Sequence, residues 1–150
     1  MKQILFLFFL WVSILATGCG QHGGRSFTGE VPEAALTGIA FDAANRLATL
    51  YPPGHTSLYL AYPTDKGQKV VDLFGPVLER SLRAKGFTIQ AISGSDPRVS
   101  WTVDGLGDTD PPVNWYLRLK VQDETGLRTF GRVYDAQGRA QGGFTEGQTE

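Results

Sequence analysis

Cys19 is the only cysteine of the chain and directly follows a short apolar segment. A thiol in this position can accept a diacylglyceryl group. A peptidase at the membrane then cleaves between Gly18 and Cys19, and the new amino group is acylated. Thr17 and Gly18 are small enough for an extended backbone to enter such a peptidase. We therefore predict that Cys19 is the lipid-attachment residue of a bacterial lipoprotein that carries palmitate or similar acyl chains.

The segment before Cys19 has the parts of a secretory signal peptide, with a basic start at Lys2 and an uncharged apolar run over residues 4–16. A helix that crosses a membrane needs about 20 apolar residues, so this run is short for a permanent span. We predict that residues 1–18 are a cleaved leader. Ala16 stands where leucine is usual in such signals, and the alternative is a cut elsewhere that leaves Cys19 as a free thiol.

Acyl chains on Cys19 would hold the mature chain at a membrane. Each buried methylene contributes about 0.8 kcal/mol, so two or more chains anchor a protein stably. Gly20 is not the aspartate that usually retains lipoproteins at the inner membrane, which favours the outer membrane with the protein facing the periplasm. Glycine and small polar residues dominate residues 19–31, which we predict to be a lipidated flexible tether.

Length and charge limit the remaining possibilities. Removal of the leader leaves 132 of the 150 residues, enough for a single domain that we place at residues 32–145, with a frayed tail at 146–150. The whole chain has 14 Lys and Arg against 15 Asp and Glu, and the charges are interspersed. A DNA-binding domain would show a clear basic excess, so we expect no direct binding of nucleic acid.

Few residues are suited to catalysis or to metal binding. The two histidines are His22 in the predicted tether and His55 in a predicted loop, and no Gly-x-Ser-x-Gly motif is present. We therefore predict no catalytic residues, no cofactor and no metal site. The carboxylates of Asp104, Asp108 and Asp110 are the one alternative, a calcium site, but their spacing differs from that of an EF-hand and favours a solvated loop.

Apolar residues three or four apart predict a first helix that begins at Pro32 and ends before Pro52. A strand that is apolar on both sides is predicted over residues 56–62.

The second helix is predicted to open at a capping box formed by Asp65 and Gln68. Pro76 falls inside its apolar pattern, and a proline in a helix interior removes a backbone hydrogen bond. We therefore expect a kink near Pro76 or two short helices. Gly86 suits the left-handed residue that ends a helix.

Alternating patterns predict strands in the rest of the chain, with turns between them, over residues 87–92, 99–103, 113–121 and 127–134. A weak edge strand is predicted near Phe144. Helix, strand, helix and then a meander of strands predict an α+β fold, with two helices packed on one face of a mainly antiparallel sheet.

The aromatic residues of the predicted strands divide between two faces. Trp101 and Trp115 are in the apolar phase and are predicted to pack against the second helix. Tyr116 is in the opposite phase, beside Arg118, and a mixture of arginine and aromatic residues is typical of interface cores. We predict that Tyr116, Arg118 and Arg132 form a partner surface on the outer face of the sheet, with the free edge strand as the alternative. Charge reversal of the two arginines is then expected to weaken partner binding without unfolding the domain.

Two segments, residues 47–54 and residues 64–87, resemble the TrbH family of conjugal transfer lipoproteins. Their shared residues are mainly turns and framework positions such as Pro52-Pro53-Gly54, Phe74 and Gly86. The resemblance covers most of the chain and carries over Cys19 as its one functional position.

The resemblance implies a non-enzymatic structural component of the mating-pair formation apparatus, a type IV secretion system that moves plasmid DNA between bacteria. It implies other secretion-system core proteins as partners. Two alternatives remain. One is an envelope lipoprotein that assists assembly or trafficking of another surface component. The other is an enzyme acting on peptidoglycan or a lipid, which lacks the expected set of acid, base and nucleophile.

Overall fold

A computed structural model describes residues 26–65, 68–69, 71–107 and 112–149 of the chain. In this part, helices and strands follow one another as β1 (Phe27–Thr28), α1 (Glu33–Leu50), β2 (Ser57–Leu60), β3 (Thr64–Asp65), β4 (Gln68–Lys69), α2 (Phe74–Ala84), β5 (Thr88–Gln90), β6 (Arg98–Leu106), β7 (Asn114–Asp123), β8 (Gly126–Asp135) and β9 (Ala140–Thr149).

Seven of these strands form one sheet, in which β5, β2, β6, β7, β8 and β9 are neighbours in that order and β1 also pairs with β6. β1 and β2 are parallel to β6, and β5 is parallel to β2. β6 to β9 form an antiparallel meander. α1 and α2 pack against each other and against one face of this sheet. The predicted α+β fold, with two helices on one face of a mainly antiparallel sheet, is confirmed.

The core lies between the helices and this face of the sheet. Trp101 of β6 is 1 % exposed and contacts Phe74 of α2, with ring centroids 5.9 Å apart. Tyr62 meets the same indole edge-on at 5.5 Å. The prediction that Trp101 packs against the second helix is therefore confirmed. Trp115 of β7 is also buried.

The start of α2 differs from the prediction. Asp65 and Gln68 lie opposite each other in the small sheet of β3 and β4, so neither is at the start of a helix. Instead, the carboxylate of Asp72 accepts the N–H groups of Phe74 at 3.3 Å and Gly75 at 2.8 Å. Because α2 begins at Phe74, Pro76 falls in the first turn, where its missing N–H has no helical partner to lose. The predicted kink or division of this helix is wrong.

The end of α2 is as predicted. Gly86 has a φ of +95° and donates its N–H to the carbonyl of Arg83 at 2.9 Å. Phe87 donates to the carbonyl of Leu82 at 3.1 Å. This pair of bonds is the Schellman motif, which satisfies the last carbonyls of the helix.

Asp72 links this helix to β1, because its carboxylate also accepts a hydrogen bond of 2.6 Å from the Thr28 hydroxyl. We expect Asp72→Ala to destabilise the domain by about 1–2 kcal/mol, the usual effect of losing a helix cap. Asp72→Asn keeps a capping oxygen and is the matched control, with an expected loss of only a few tenths of a kcal/mol. Urea unfolding followed by tryptophan fluorescence measures both, and equal stabilities would contradict the capping role.

The N-terminal part of the described chain belongs to the sheet. Ser26 is 4 % exposed, donates its hydroxyl to the carbonyl of Ala61, and accepts the N–H of Trp101 at 3.2 Å. Ser26 therefore links the end of β2 to β6, at the place where the neighbour of β6 changes from β2 to β1. The predicted tether extended to residue 31, but Ser26 already belongs to the fold, and Val31 is also buried.

The last strand is longer than predicted. β9 continues to Thr149, which pairs with Leu127 of β8. Residues 146–149 are thus paired where the sequence predicted a frayed tail. The register of β8 and β9 shifts between Gly131 and Val133, so a β-bulge lies opposite Arg132.

Candidate functional site

The helices cover one of the two faces of the meander. Residues paired across neighbouring strands point to the same face of a sheet. One face carries Trp101, Leu119 and Phe130, which are buried under the helices. The opposite face, which we call the open face, carries the outward residues of β6, β7 and β8, namely Arg98, Ser100, Thr102, Asp104, Leu106, Asn114, Tyr116, Arg118, Lys120, Gln122, Leu127, Thr129, Gly131, Val133 and Asp135.

Tyr116 and Arg118 both lie on the open face, as predicted. Arg118 is exposed and lies in one row with Thr102 and Gly131. Tyr116 is half-buried, and a methyl group placed on Gly131 would come within 2.2 Å of its hydroxyl. Gly131 therefore makes room for the tyrosine on the surface of the sheet.

Arg132 does not join them. It pairs with Leu117 and faces α1, where its Nη1 lies 2.9 and 2.8 Å from the two carboxylate oxygens of Asp42. Its Nη2 donates to the carbonyl of Gly142 at 2.6 Å, and its guanidinium lies 4.9 Å from the ring centroid of Phe144. The predicted surface of three residues is therefore divided between two faces. Charge reversal of Arg132 would break its ion pair with Asp42, so we expect that change to destabilise the domain.

The register explains this error. Asp123 pairs with Gly126, so Glu124 and Thr125 form a two-residue turn between β7 and β8. Odd-numbered residues of β7 consequently pair with even-numbered residues of β8, which places Arg132 on the face of Leu117. The length of this turn was the sequence signal that could have separated Arg132 from Tyr116.

Two further arginines attach the helix side of the sheet to α1 and its end. Arg46 of α1 lies 2.8 Å from Glu146 of β9 and stacks on Phe130 with its guanidinium 4.6 Å from the ring centroid. Arg128 of β8 donates to Asp123 at 2.8 Å and to the hydroxyl of Tyr51 at 2.6 Å.

Tyr51 also donates to Asp123, and burial together with this bond raises the pKa of Tyr51 to about 12. Burial alone would raise the pKa of Asp123, but hydrogen bonds from Thr125, Tyr51 and Arg128 hold it well below its usual range. These groups therefore keep fixed protonation states near neutral pH and bind the strands to the end of α1.

A cavity of about 320 Å³ lies between β2, β5 and α2, and Tyr59, Tyr62, Glu79, Arg83 and Ile89 are among its lining residues. Tyr62 donates to Glu79 at 2.7 Å, and Arg83 donates to the other carboxylate oxygen at 2.9 Å. Burial and the bond to Glu79 raise the pKa of Tyr62, while the bond from Tyr62 lowers the pKa of Glu79. Both shifts move away from neutrality, whereas a general acid or base needs a pKa near the working pH.

The other predicted residues are placed as follows. Cys19, His22, Asp108 and Asp110 lie outside the described residues. His55 is exposed in the loop after α1, and Asp104 accepts the N–H of Gly105 at 2.9 Å. Among the described residues, no three His, Cys, Asp or Glu side chains are arranged to hold a metal ion. Neither described helix has the length and apolar character needed to span a bilayer.

Comparison with known families gives a match over most of the chain. The family model described as conjugal transfer protein TrbH matches residues 21–145. This range contains both helices, the open face and most of β9. No curated protein and no solved structure matches the chain.

Proposed function

This chain belongs to the TrbH family of conjugal transfer proteins, and we propose that it is an outer-membrane lipoprotein and a non-enzymatic structural component of the mating-pair formation apparatus. In this proposal, Cys19 carries the acyl chains and the folded domain faces the periplasm. The family match over residues 21–145 is the observation that carries the proposal, because it includes nearly all of the described fold.

A structural role is supported by the way the charged groups are used. Arg46, Arg128 and Arg132 each bond to a carboxylate and hold α1 or its end against the meander. In the cavity, the pKa values of Tyr62 and Glu79 are displaced away from those that acid–base catalysis requires. These groups stabilise the fold and are not poised to transfer protons.

Two surfaces remain available for docking in this proposal. The first is the open face with Tyr116 and Arg118, which lies opposite the helices. The second is the outer edge of β9, which pairs with β8 on its other side and contains no lysine or proline over residues 140–149. Edge strands without such residues are suited to pairing with another chain. We assign the edge of β9 to other proteins of the transfer apparatus.

The lipid anchor is tested with Cys19→Ser in donor cells. We expect the variant to leave the membrane fraction and plasmid transfer to fall, because the site of acylation is lost. Intact-mass spectrometry of the membrane-bound wild-type protein should show a chain that begins at Cys19 and carries acyl groups. A wild-type mass without acyl groups, or with the leader attached, would contradict the proposal.

Gly20→Asp is the matched control, because it changes the neighbouring residue and keeps the thiol. We expect this variant to remain acylated and membrane-bound but to fractionate with the inner membrane. A fall in plasmid transfer with Cys19→Ser would support the anchor. A normal acyl mass together with a move to the inner membrane in Gly20→Asp would support the outer-membrane position. Fractionation of the wild-type protein with the inner membrane would contradict that position.

A further inference from the structure

Three cations lie together toward the end of the open face that carries Gln122, whereas Asp104 and Asp135 of the same face lie toward its other end, where they pair with Tyr116 and Asn114. Arg118 and Lys120 are alternate residues of β7, and Arg98 of β6 lies diagonally from Lys120 because it pairs with Gln122. None of the three forms an ion pair within the described residues. The arginines directed to the helix side from β8 do bond to carboxylates. The whole chain has a net charge of −1, so this cluster is not the result of a general basic excess.

The chain enters the sheet beside this cluster. Phe27 pairs with Thr102, and Thr102 pairs with Arg118, so these residues form one row across β1, β6 and β7. Neighbouring strands are about 4.8 Å apart, so the backbone of Arg118 lies about 10 Å from the point of entry. Cys19 precedes Ser26 by seven residues, which span at most about 25 Å when fully extended. A membrane that holds Cys19 is therefore kept close to the cluster.

Tyrosines accompany the cations. The guanidinium of Arg98 lies 5.5 Å from the ring centroid of Tyr59, and Tyr116 rests on Gly131 at the other end of the face. Tyrosine combines an apolar ring with a polar hydroxyl and is enriched where proteins meet lipid headgroups. The end of the open face with Arg98, Arg118 and Lys120 thus combines tyrosines with cations that form no ion pair among the described residues, a combination that fits an anionic lipid surface.

We infer that the open face docks onto the anionic headgroups of the membrane that holds the lipid on Cys19. This inference rests on the anchor proposed above and names the occupant of the open face. Each cation near an anionic surface multiplies the docked population by about fivefold, and the attraction extends over about 10 Å. The anchor already confines the domain to the membrane, so three cations need only orient it. The helices then face the periplasm.

Single-thiol variants of the full-length lipidated protein test this orientation. Gln122→Cys places a thiol on the open face beside the cations, and Thr37→Cys places one on the exposed side of α1. Each protein is reconstituted in vesicles of phosphatidylcholine, or of phosphatidylcholine and phosphatidylglycerol in equal parts. The rate of labelling by an uncharged, water-soluble maleimide is measured by mass spectrometry.

We expect labelling of Gln122→Cys to be at least about tenfold slower in the anionic vesicles than in the neutral ones, because three cations favour docking there. Added salt, or Arg118→Gln together with Lys120→Gln, should remove this protection. Thr37→Cys should label equally fast in both vesicles. Equal rates for Gln122→Cys in the two vesicles would overturn the inference.

Labelling of the wild-type protein separates a failure of the lipid anchor on Cys19 from a failure of the docking of the open face. If Cys19 carries lipid, the wild type takes up no label, and any labelling at Cys19 would refute the anchor and the docking together. Protection of Gln122→Cys in donor-cell envelopes but not in anionic vesicles would overturn the lipid as occupant while leaving the anchor intact. That result would indicate an acidic protein on the open face.

Discussion

Replacement of Gly138 by alanine is expected to destabilise the domain by roughly 3 kcal/mol or more, because backbone strain and a clash with backbone atoms add together. Gly138 lies in the turn between β8 and β9 and has a φ of +76°. A methyl group there would come within 2.3 Å of the carbonyl oxygen of Ala35 and 2.7 Å of its Cα. These are atoms of α1, so the helix or the turn would have to move.

Gly142→Ala is a matched control in the neighbouring strand. Its φ is +77°, nearly the same as that of Gly138, but no atom lies within 4 Å of the position a methyl group would take. We expect this variant to lose only about 1 kcal/mol, the cost of a left-handed backbone for alanine. Urea unfolding of the two variants measures the difference. Equal losses would show that the contact between the turn and α1 contributes nothing.

The contact is made by glycine on both sides. A methyl group on Gly38 of α1 would lie 2.5 Å from the carbonyl oxygen of Gly138. Helix and turn can approach this closely because neither residue has a side chain. The approach places the following turn of α1 over β8, where Asp42 meets Arg132.

Asp42→Ala is the second variant with a large expected effect, a loss of about 3 kcal/mol. The carboxylate accepts both contacts from Arg132 and a hydrogen bond of 2.6 Å from the hydroxyl of Tyr134. Tyr134 is fully buried, and burial together with this bond raises its pKa far above the usual range. Removal of Asp42 therefore leaves a half-buried guanidinium without its anion and a buried hydroxyl without an acceptor.

Tyr134→Phe separates these two contributions. Alone it should cost about 1 kcal/mol, the value of one hydrogen bond. Combined with Asp42→Ala it should cost less than the sum of the single changes, because no unpaired hydroxyl remains. Thermal and urea unfolding of the four proteins complete the cycle. A stability of Asp42→Ala within about 0.5 kcal/mol of wild type would contradict the role of this carboxylate.

Local sequence patterns predicted the elements whose causes are local. α1 follows from apolar spacing between Pro32 and Pro52, and Gly86 ends α2 because a left-handed residue is needed there. The meander follows from the alternation of apolar and polar residues, and the same pattern correctly predicted that Trp101 is in the core. In each case a short window of sequence contains the deciding residues.

The errors arose where distant residues decide the structure. Asp65 and Gln68 have the spacing of a capping box, but they pair with each other between two strands, and the carboxylate that caps the helix is that of Asp72. The bonds of Ser26 join it to Ala61 and Trp101, so nothing local marks residue 26 as part of the fold. The face of the sheet on which Arg132 lies depends on the length of the turn between β7 and β8, which an alternating pattern of apolar residues does not determine.

The positions of the candidate residues were predicted in part, and their role as a partner surface stays a prediction. Tyr116 and Arg118 are on the outer face because their phase along β7 is opposite to that of Trp115, which is a local property. The cluster that includes Arg98 depends on the pairing of β6 with β7, and its closeness to the chain entry depends on β1. Long-range pairing of this kind is set by the whole sheet and not by any one segment.

The insertion of Ser26 has a mechanical consequence. If Cys19 is fixed in a bilayer, tension on the anchor reaches Ser26, whose hydroxyl bonds to Ala61 directly after β2 and to the backbone of the buried Trp101 of β6. The tension would be shared between β2 and β6 and would not pull a single terminal segment away from the surface of the domain. An anchored subunit with this attachment can transmit a pull from the membrane directly to its interior.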